Sequence, residues 1–528
     1  MKSLMKKVFA AAAAIATVFG LAATTVATAN AADNATLTVS TTDAKFAGKT
    51  VNAYKMFSAT VSGDGKAVSY TLTDEWKPFF KNSVGLTGVT DENVNDKAND
   101  YVSKLKDSTL VAFATKASNW AQTKANNITA DATATVSADA SNGKYTATFT
   151  GLGYDYCVVA VPGATLANAK SQYATLVSVH STKVDADIKG DLPTVDKKVQ
   201  VDGTGKDATD AKIGDTLTFT LTSTIPDMSA YDTYTFNFKD TLSKGLTFGQ
   251  VKSVKVENVT LTENTDYTVT TPTASNNNTL TVAMKDFKTK QQANAGKKIT
   301  VTYTATLNEN AVVGGAGNVN SATIQYSNNP STNGTGESEP SKVRVFTYGF
   351  TVDKYTGDQY TDAATRLAGA EFTLAHKDGS AISFVQVSAG SATANAVYRV
   401  AKAGETGTTT ITTPANGKVV FEGLKNGEYT LTETKAPAGY NKLASAIGVK
   451  VNGQNNGTDT TNATVTITYN NDNGNDYNQT ASNGVIPVQN KSGAILPGTG
   501  GMGTIAFTVI GVLVIALGVA WTLKRKNA

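Results

Sequence analysis

Short runs in which apolar and polar residues alternate recur along most of the chain. Examples are TLTFTLTST, KKITVTYTATL, KVVFEGL and ATVTITYN, and turns rich in Asn and Gly separate such runs. Because side chains alternate between the two faces of a strand, each run is typical of a strand with one buried face. Many short strands divided by turn residues predict an all-β protein built from stacked β-sandwiches.

One stretch in the first third of the chain departs from this pattern. Tyr101 and Leu105, followed by Phe113, Ala117 and Trp120, are placed at helical spacing. Apolar residues three or four positions apart line one face of a helix. We therefore expect a small helical insertion in the first domain.

Both ends of the chain have the features of targeting segments. Lys2, Lys6 and Lys7 precede an apolar run that ends in small residues, which is typical of a secretory signal peptide over residues 1–31. Residues 505–523 are almost uninterruptedly apolar, and three basic residues follow them. That length predicts a transmembrane helix, and the basic tail predicts a cytoplasmic C-terminus.

A short motif precedes the C-terminal apolar segment: Leu496, Pro497, Gly498, Thr499 and Gly500. With the apolar helix and the basic tail, it resembles the LPXTG cell-wall sorting signal of Gram-positive bacteria. The resemblance implies that a sortase cleaves between Thr499 and Gly500, holds the threonine as a thioester and passes it to an amine. It also implies a secreted, peptidoglycan-anchored protein that the C-terminal helix retains transiently in the membrane.

Composition and charge argue against several other classes of protein. The chain has 528 residues, a formal net charge of +4 and one cysteine, Cys157. A single cysteine excludes an intramolecular disulfide, and interspersed charges give no support to nucleic-acid binding. The two histidines, His180 and His376, are far apart in sequence, which disfavours a histidine-based metal or catalytic site. We expect no cofactor and no bound metal.

Two blocks of the chain open with a strand that carries a lysine in step with apolar residues. Lys197 lies between Val195 and Val199, and Lys354 ends an equivalent alternation in GFTVDK. A strand side chain in step with core residues points into the core. The first block instead opens with Thr36 and Thr38 at this place in the strand, so we expect no cross-link there.

Each of these two blocks also offers an asparagine and an acid. The closing strand of the middle block is interpreted as NVNSATIQYSNNP, where Asn318 and Asn320 share a face, and the last block ends in VIPVQN at Asn490. The acids are Asp240 in FKDTLSKGLTF and Glu433 in YTLTETKAPAGY. The same three residue types therefore recur in the same order in both blocks.

Lysine, asparagine and a carboxyl group in an apolar interior form a reactive set. Desolvation lowers the pKa of the lysine toward the neutral, nucleophilic amine and raises the pKa of the carboxyl group. The neutral acid can then hydrogen-bond the asparagine carbonyl and shuttle protons during attack, so that ammonia leaves and an isopeptide bond remains. For one lysine alone, an exposed strand face is the simpler interpretation, but the repetition favours the reactive set.

The last block resembles a known family. LAGAEFTL, GKVVFEGLKNGEYTLTETKAPAGY and the terminal asparagine are similar to the collagen-binding-protein (Cna) B-type domain of Gram-positive pilins, with its E-box. DTLSKGLTF and GNVNSATIQYSNNP are similar to the middle domain of backbone pilins. The resemblance implies tandem immunoglobulin-like domains in a rod, each held by a Lys–Asn isopeptide bond. The implied pairs and their promoting acids are Lys197–Asn320 with Asp240 and Lys354–Asn490 with Glu433. Asn318 remains an alternative to Asn320.

Backbone pilins also carry a polymerising lysine near the end of the first domain, usually in a V-Y-P-K context. The corresponding stretch here is KVDADIKGDLP, in which Lys189 precedes the domain boundary but the Tyr-Pro is missing. The resemblance implies that Lys189 attacks the sortase thioester of the next subunit. Lys183 is the nearest alternative.

The sequence thus predicts the major structural subunit of a pilus, or fimbria, which supports cell adhesion and is not an enzyme apart from its own cross-linking. The alternative is a monomeric wall-anchored adhesin that binds host protein or glycan. The implied partners are pilus-class and housekeeping sortases, identical pilin subunits, a tip or ancillary pilin and peptidoglycan. The predicted segments are a signal peptide (1–31), an N-terminal pilin domain (32–189), a middle Cna-type domain (190–345), a C-terminal Cna B-type domain (346–495) and the sorting signal (496–528).

Overall fold

The computed structural model describes residues 34–63, 66–139, 143–165, 174–330, 332, 334–361, 364–454, 464–471, 476–493 and 502–526. The chain packs as two compact units, Met1–Tyr348 with Gly453–Thr464, and Gly349–Asn452 with Val465–Ala528. The predicted signal peptide and the motif at 496–500 lie outside the described residues. These two segments and the three-domain division stay predictions.

Strands and short helices make up the first block. Its strands are β1 (Ala35–Thr41), β2 (Thr50–Val61), β3 (Val68–Leu72), β4 (Ala132–Thr135), β5 (Ser137–Asp139), β6 (Lys144–Leu152), β7 (Asp155–Ala160), β8 (Ala174–Val179) and β9 (Lys183–Asp187). One sheet has the order β5-β6-β1-β9, and the other has the order β3-β2-β7-β8 with β4 beside β2. Strand β1 buries Ala35, Leu37 and Val39, so Thr36 and Thr38 face away from the core, contrary to the predicted position.

The helical insertion expected from the sequence is present. It contains α1 (Val94–Ser103) and α2 (Asp107–Gln122), and the block also has 3₁₀ turns at Ala44–Phe46, Asp74–Trp76 and Lys124–Asn126 and a π-helical turn at Phe79–Ser83. Phe113 and Ala117 are buried in a cluster with residues of β2 and β7. Every residue of β7, including Cys157, is buried, because this sheet packs on the helices on one face and on the other sheet on the opposite face.

The middle block consists of two further sheets. Its strands are β10 (Asp196–Val201), β11 (Thr204–Lys206), β12 (Ala208–Asp210), β13 (Thr216–Thr224), β14 (Phe236–Leu242), β15 (Leu246–Val256), β16 (Val259–Thr260), β17 (Tyr267–Thr270), β18 (Thr279–Met284), β19 (Lys298–Leu307), β20 (Asn318–Ser327), β21 (Thr335–Glu337) and β22 (Ser341–Phe346). Its helices are α3 (Phe287–Gln291) and 3₁₀ turns at Ala274–Asn276 and Gln292–Asn294. The sheet orders are β11-β10-β13-β19-β15-β16 and β12-β22-β20-β14-β18-β17, with β21 beside β20.

The strand that carries Asn320 does not close the middle block. Strand β20 is followed by β21 and by β22, which pairs antiparallel with β20 and sets Asn320 opposite Val343. Strand β22 is a core strand, because Val343 and Val345 are fully buried. The prediction that an asparagine lies on the closing strand is therefore wrong for this block. The turn residues that follow Asn320 in the sequence are typical of a domain boundary, so the sequence did not predict that β22 returns to pair with β20.

The last block makes up most of the second compact unit. Its strands are β23 (Tyr348–Thr356), β24 (Thr365–Arg366), β25 (Glu371–His376), β26 (Phe384–Ser388), β27 (Ala396–Val400), β28 (Ile411–Thr412), β29 (Lys418–Leu424), β30 (Gly427–Lys435), β31 (Ile447–Gln454), β32 (Thr464–Asn470), β33 (Gln479–Thr480) and β34 (Val485–Gln489). The sheet orders are β24-β23-β29-β27-β26, with β34 beside β23, and β28-β25-β30-β31-β32-β33. The opening strand β23 and the closing strand β34 are parallel neighbours, with Lys354 opposite Val488.

A further helix, α4 (Met502–Lys526), follows the sandwich blocks. Among the residues that the structure describes, no helix has both the length and the apolar character needed to cross a membrane. The transmembrane prediction for this segment is therefore not confirmed. The all-β prediction for the body of the chain is confirmed.

Candidate cross-linking sites

Strand β10 directs Lys197 into the interior of the middle block. Val195 is 7% exposed, whereas Lys197 and Val199 are fully buried, as strand alternation predicts. The strand is held on one side by β13, where Lys197 lies opposite Leu221. Its amide N–H also donates to Ser341 Oγ at 3.0 Å. The lysine side chain is thus fixed at the centre of the block.

Four fully buried side chains meet around this lysine, and we call them the Lys197 cluster: Lys197, Asp240, Tyr303 and Asn320. Lys197 Nζ donates to Asp240 Oδ2 and, at 3.0 Å, to the hydroxyl oxygen of Tyr303. The Tyr303 hydroxyl donates to Asp240 Oδ2 at 2.6 Å, and Asn320 Nδ2 donates to the Tyr303 oxygen at 2.6 Å. Tyr303 therefore connects the amine, the acid and the amide.

Tyr303 is the member of this cluster that the sequence did not single out. It lies on β19 in KKITVTYTATL, in step with the buried residues Ile299, Val301 and Ala305. That alternation identifies an inward aromatic ring, but it does not tell which polar groups the hydroxyl meets. Its ring stacks on Phe219 with a centroid distance of 5.3 Å, and Lys197 Nζ lies 5.2 Å from the centroid of each ring.

Burial changes the acidity of these groups. Desolvation lowers the pKa of Lys197 to about 8, although the nearby Asp240 carboxyl opposes the shift. The pKa of Tyr303 lies well above its usual value, mainly because of desolvation and secondly because of the Asp240 charge. The environment thus shifts the amine toward its neutral form and keeps the tyrosine protonated.

The two asparagines on this strand face have different surroundings. Asn318 accepts from the Val312 N–H at 2.9 Å and donates to the carbonyl oxygens of Val312 and Val345. Its amide therefore stabilises a turn and a strand end. Among the described residues, Asn320 Oδ1 is buried without a hydrogen-bond partner. This difference favours Asn320 over Asn318 as the acceptor of a cross-link.

A second set of buried groups, the Lys354 cluster, consists of Lys354, Glu433 and Asn490, which are at most 2% exposed. Lys354 Nζ donates to the Val488 carbonyl oxygen at 3.1 Å and lies 3.7 Å from Glu433 Oε1. Glu433 Oε2 accepts from Asn490 Nδ2 at 3.0 Å and from the Leu443 N–H at 2.8 Å. Here the acid contacts the amide directly.

The electrostatics of the second cluster resemble those of the first. Desolvation lowers the pKa of Lys354 to about 8, against the opposing effect of Glu433. Within the described part of the chain, Glu433 Oε1 and Asn490 Oδ1 are buried without hydrogen-bond partners. Buried polar atoms without partners destabilise a fold. A reaction that turns the amine and the amide into one new amide group removes part of that cost.

The structure places Lys189 two residues after the end of β9, outside the sandwich core. Its side chain is 31% exposed and its Nζ lies 3.1 Å from Asp187 Oδ2. Lys183, the alternative, is exposed at the first position of β9. Both amines are therefore accessible, and the structure does not bring either into a cluster.

The remaining candidate groups form no further site in the described residues. His180 hydrogen-bonds Ser178, and the ring of His376 lies 5.3 Å from that of Tyr429. No group of three or more histidine, cysteine or acidic side chains in the described ranges could hold a metal ion.

Two domain families match the chain. Residues 213–330 match the family described as Gram-positive pilin backbone subunit 2, Cna-B-like domain. Residues 358–466 match the SpaA prealbumin-like fold domain. The fold and these matches together define a tandem β-sandwich protein of the pilin type.

One sequence relative and several solved structures are similar to the chain. The trypsin-resistant surface T6 protein of Streptococcus pyogenes is 26% identical over 279 residues, which cover 48% of this chain and 44% of that protein. The T6 backbone pilin structure of Streptococcus pyogenes has a TM-score of 0.45 at 19% identity and covers 80% of this chain and 83% of its own. The major pilin subunit of Bacillus cereus has a TM-score of 0.39 at 20% identity, with 67% and 89% covered.

The two domain families and the sequence relative support a Gram-positive backbone pilin. This assignment rests on the domain families and the sequence relative. The chain spans less than half the length of that relative. In both clusters the lysine precedes the matched segment and the acid lies inside it. The asparagine of the middle block also lies inside its matched segment.

Proposed function

We propose that this chain is the major structural subunit of a cell-wall-anchored pilus, stabilised by isopeptide bonds Lys197–Asn320 and Lys354–Asn490. The observation that carries the proposal is the burial of a lysine, a carboxyl group and an asparagine together in two separate blocks. A buried lysine is costly unless it is compensated. Conversion to an amide removes its charge permanently, which accounts for the recurrence of the set.

The proposed chemistry needs no external reagent. The amine of Lys197 or Lys354 attacks the side-chain carbonyl carbon of its asparagine, and a carbon–nitrogen bond forms. The carbon–nitrogen bond to the amide nitrogen breaks, and that nitrogen leaves as ammonia with a proton taken from the amine through the acid. Asp240 and Glu433 act as the proton carriers, since each contacts its lysine.

Polymerisation is proposed to use the two ends of the folded region. A pilus-class sortase forms the thioester at Thr499, and Lys189 of an identical subunit attacks it. A housekeeping sortase then joins the last subunit to peptidoglycan. The position of Lys189 two residues after β9, with its side chain partly exposed, supports this role. Adhesion through the assembled fibre, with a tip or ancillary pilin, follows from the same proposal.

Polymer formation can be tested in cells that express the chain with its sortase. We expect a high-mass ladder in immunoblots of wall extracts, and we expect Lys189→Ala to abolish it because the nucleophile is removed. Lys206→Ala is the matched control, because this lysine is exposed on β11. A ladder lost in Lys183→Ala but kept in Lys189→Ala would assign the role to Lys183. A single monomer band in the wild type would overturn the pilus proposal.

The pKa of Lys197 gives a prediction for a chain that cannot cross-link. In Asn320→Ala, Lys197 stays a free amine with a pKa of about 8 when folded, against about 10.4 when unfolded. Between these values the unfolded state binds the proton and the folded state does not, so the free energy of unfolding rises with pH. Hydrogen exchange of β13 and β19 should therefore slow relative to its intrinsic rate from about pH 8 to about pH 10. The unmodified chain is the control, because an amide does not titrate there, and an equal change in both would contradict the prediction.

A further inference from the structure

The two clusters connect acid and amide in different ways. In the Lys354 cluster, Asn490 Nδ2 donates directly to Glu433 Oε2 at 3.0 Å. In the Lys197 cluster, the hydrogen bond of Asn320 among the described residues goes to the Tyr303 hydroxyl, at 2.6 Å. Asp240 Oδ2 reaches that same hydroxyl, also at 2.6 Å. The tyrosine oxygen thus lies between the acid and the amide, which contact each other directly in the other cluster.

This arrangement matters because the leaving group needs a proton. An amide nitrogen leaves as ammonia only after it is protonated, and a proton donor must lie within hydrogen-bond reach of it. Among the described residues, Asp240 makes no hydrogen bond to Asn320. The group that contacts both the attacking amine and the leaving nitrogen is the hydroxyl of Tyr303.

We propose that Tyr303 is a catalytic residue of the middle block, which relays a proton from Asp240 to the leaving nitrogen of Asn320. The inference rests on the proposed Lys197–Asn320 isopeptide bond and deepens it. The Lys354 cluster needs no relay, because its acid already contacts the amide.

In the proposed reaction, Asp240 and Tyr303 carry protons from the amine to the leaving nitrogen. Lys197 first passes a proton to Asp240, and its neutral Nζ then attacks Asn320 Cγ to give an oxyanion with a positively charged Nζ. Asp240 returns its proton to the Tyr303 oxygen while the tyrosine O–H proton moves to Nδ2. Nζ next loses a proton to Asp240, the carbonyl re-forms, and the bond from Cγ to Nδ2 breaks to release ammonia. Asp240 ends protonated and Tyr303 ends unchanged.

A concerted relay suits the surroundings of the hydroxyl. Its buried position beside a carboxyl group makes a free tyrosinate unfavourable, so the oxygen accepts one proton as it gives up another. The ring is fixed by stacking on Phe219 at 5.3 Å. A phenylalanine at 303 would keep this packing and remove the hydroxyl alone.

The test uses the full chain and measures both cross-links in the same molecules. Tyr303→Phe and the control Tyr326→Phe are produced, and peptide mapping by mass spectrometry follows each linked peptide pair with time after synthesis. Tyr326 is a buried tyrosine on β20, the strand of Asn320. We expect Tyr303→Phe to slow formation of the Lys197–Asn320 link roughly 100-fold or more, as loss of a positioned proton donor does. The Lys354–Asn490 link in the same chain should form at the wild-type rate, which shows that the last block folds. Hydrogen exchange of β13 and β19 should match that of Tyr326→Phe, which shows that the middle block folds.

A second variant separates proton relay from a structural role. A fluorinated tyrosine introduced at position 303 keeps the hydrogen-bond geometry but has a more acidic hydroxyl, so its rate should differ from that of the wild type. A hydroxyl that serves only as a spacer would leave the rate unchanged, and this result would overturn the relay. Formation of the Lys197–Asn320 link at the wild-type rate in Tyr303→Phe would overturn the relay alone. Absence of the Lys197–Asn320 link from the wild type would overturn the isopeptide proposal together with the relay.

Discussion

A recombinant chain spanning residues 32–495 is expected to weigh two ammonia molecules less than its sequence mass. One loss comes from Lys197 with Asn320 and the other from Lys354 with Asn490, because each buried set contains an amine, an amide and an acid. Asp240→Ala should restore the mass of one ammonia and Glu433→Ala that of the other. Intact-mass spectrometry measures both.

Matched controls make this result specific to the two clusters. Asn318→Ala should leave both losses intact, because the Asn318 amide is bound to the backbone of Val312 and Val345. Asp353→Ala is a second control: this buried acid lies beside Lys354 in sequence but pairs with Arg366. Full loss of two ammonia molecules in Asp240→Ala or Glu433→Ala would refute the role of that acid. Loss of a third ammonia molecule would show a further cross-link.

A single chain pulled between Lys189 and Thr499 is expected to resist extension in the last block. Lys354 lies on β23 and Asn490 directly follows β34, so their bond would join the two ends of the block covalently. Lys354→Ala removes that bond, and the block should then extend by its contour length, roughly 400 Å or more at 3.3–3.6 Å per residue. Force spectroscopy with handles at the two proposed linkage points measures the step.

The same change should weaken the last block at equilibrium. A covalent bond that closes a loop of this size restricts the unfolded chain, and disulfide reasoning suggests about 5 kcal/mol for a loop of about 130 residues. Lys418→Ala is the control, because this lysine lies near a different acid, Asp353. A large extension step from the last block of the unmodified chain would contradict a force-bearing bond at Lys354.

The sequence was informative wherever a property follows from local periodicity. Alternation alone places Lys197 and Lys354 in the interior, and helical spacing predicts the helices around Phe113. Parity could not separate Asn318 from Asn320, because both point the same way from β20. What separates them is the backbone that lies beside each amide, and this depends on the turn at Val312 and on the pairing with β22.

Features that depend on how the sheets meet could not be predicted. Tyr303 joins the Lys197 cluster because β19 lies beside β13 in one sheet while β14 and β20 approach from the other. No spacing within one segment contains that information. The return strand β22 was not predicted because the polar turn residues between it and Asn320 resemble the end of a domain.

Because β22 lies beyond Asn320, the proposed cross-links leave residues 321–353 outside both covalent loops. In this segment, hydrogen bonds and side-chain packing would resist the tension along the fibre, chiefly those between β22 and β20. If it were drawn out, each subunit would lengthen by up to roughly 100 Å while the closed loops on either side stayed intact. A fibre built this way would lengthen under a sudden load by extension of this segment in each subunit. It would return to its original length as β22 paired with β20 again.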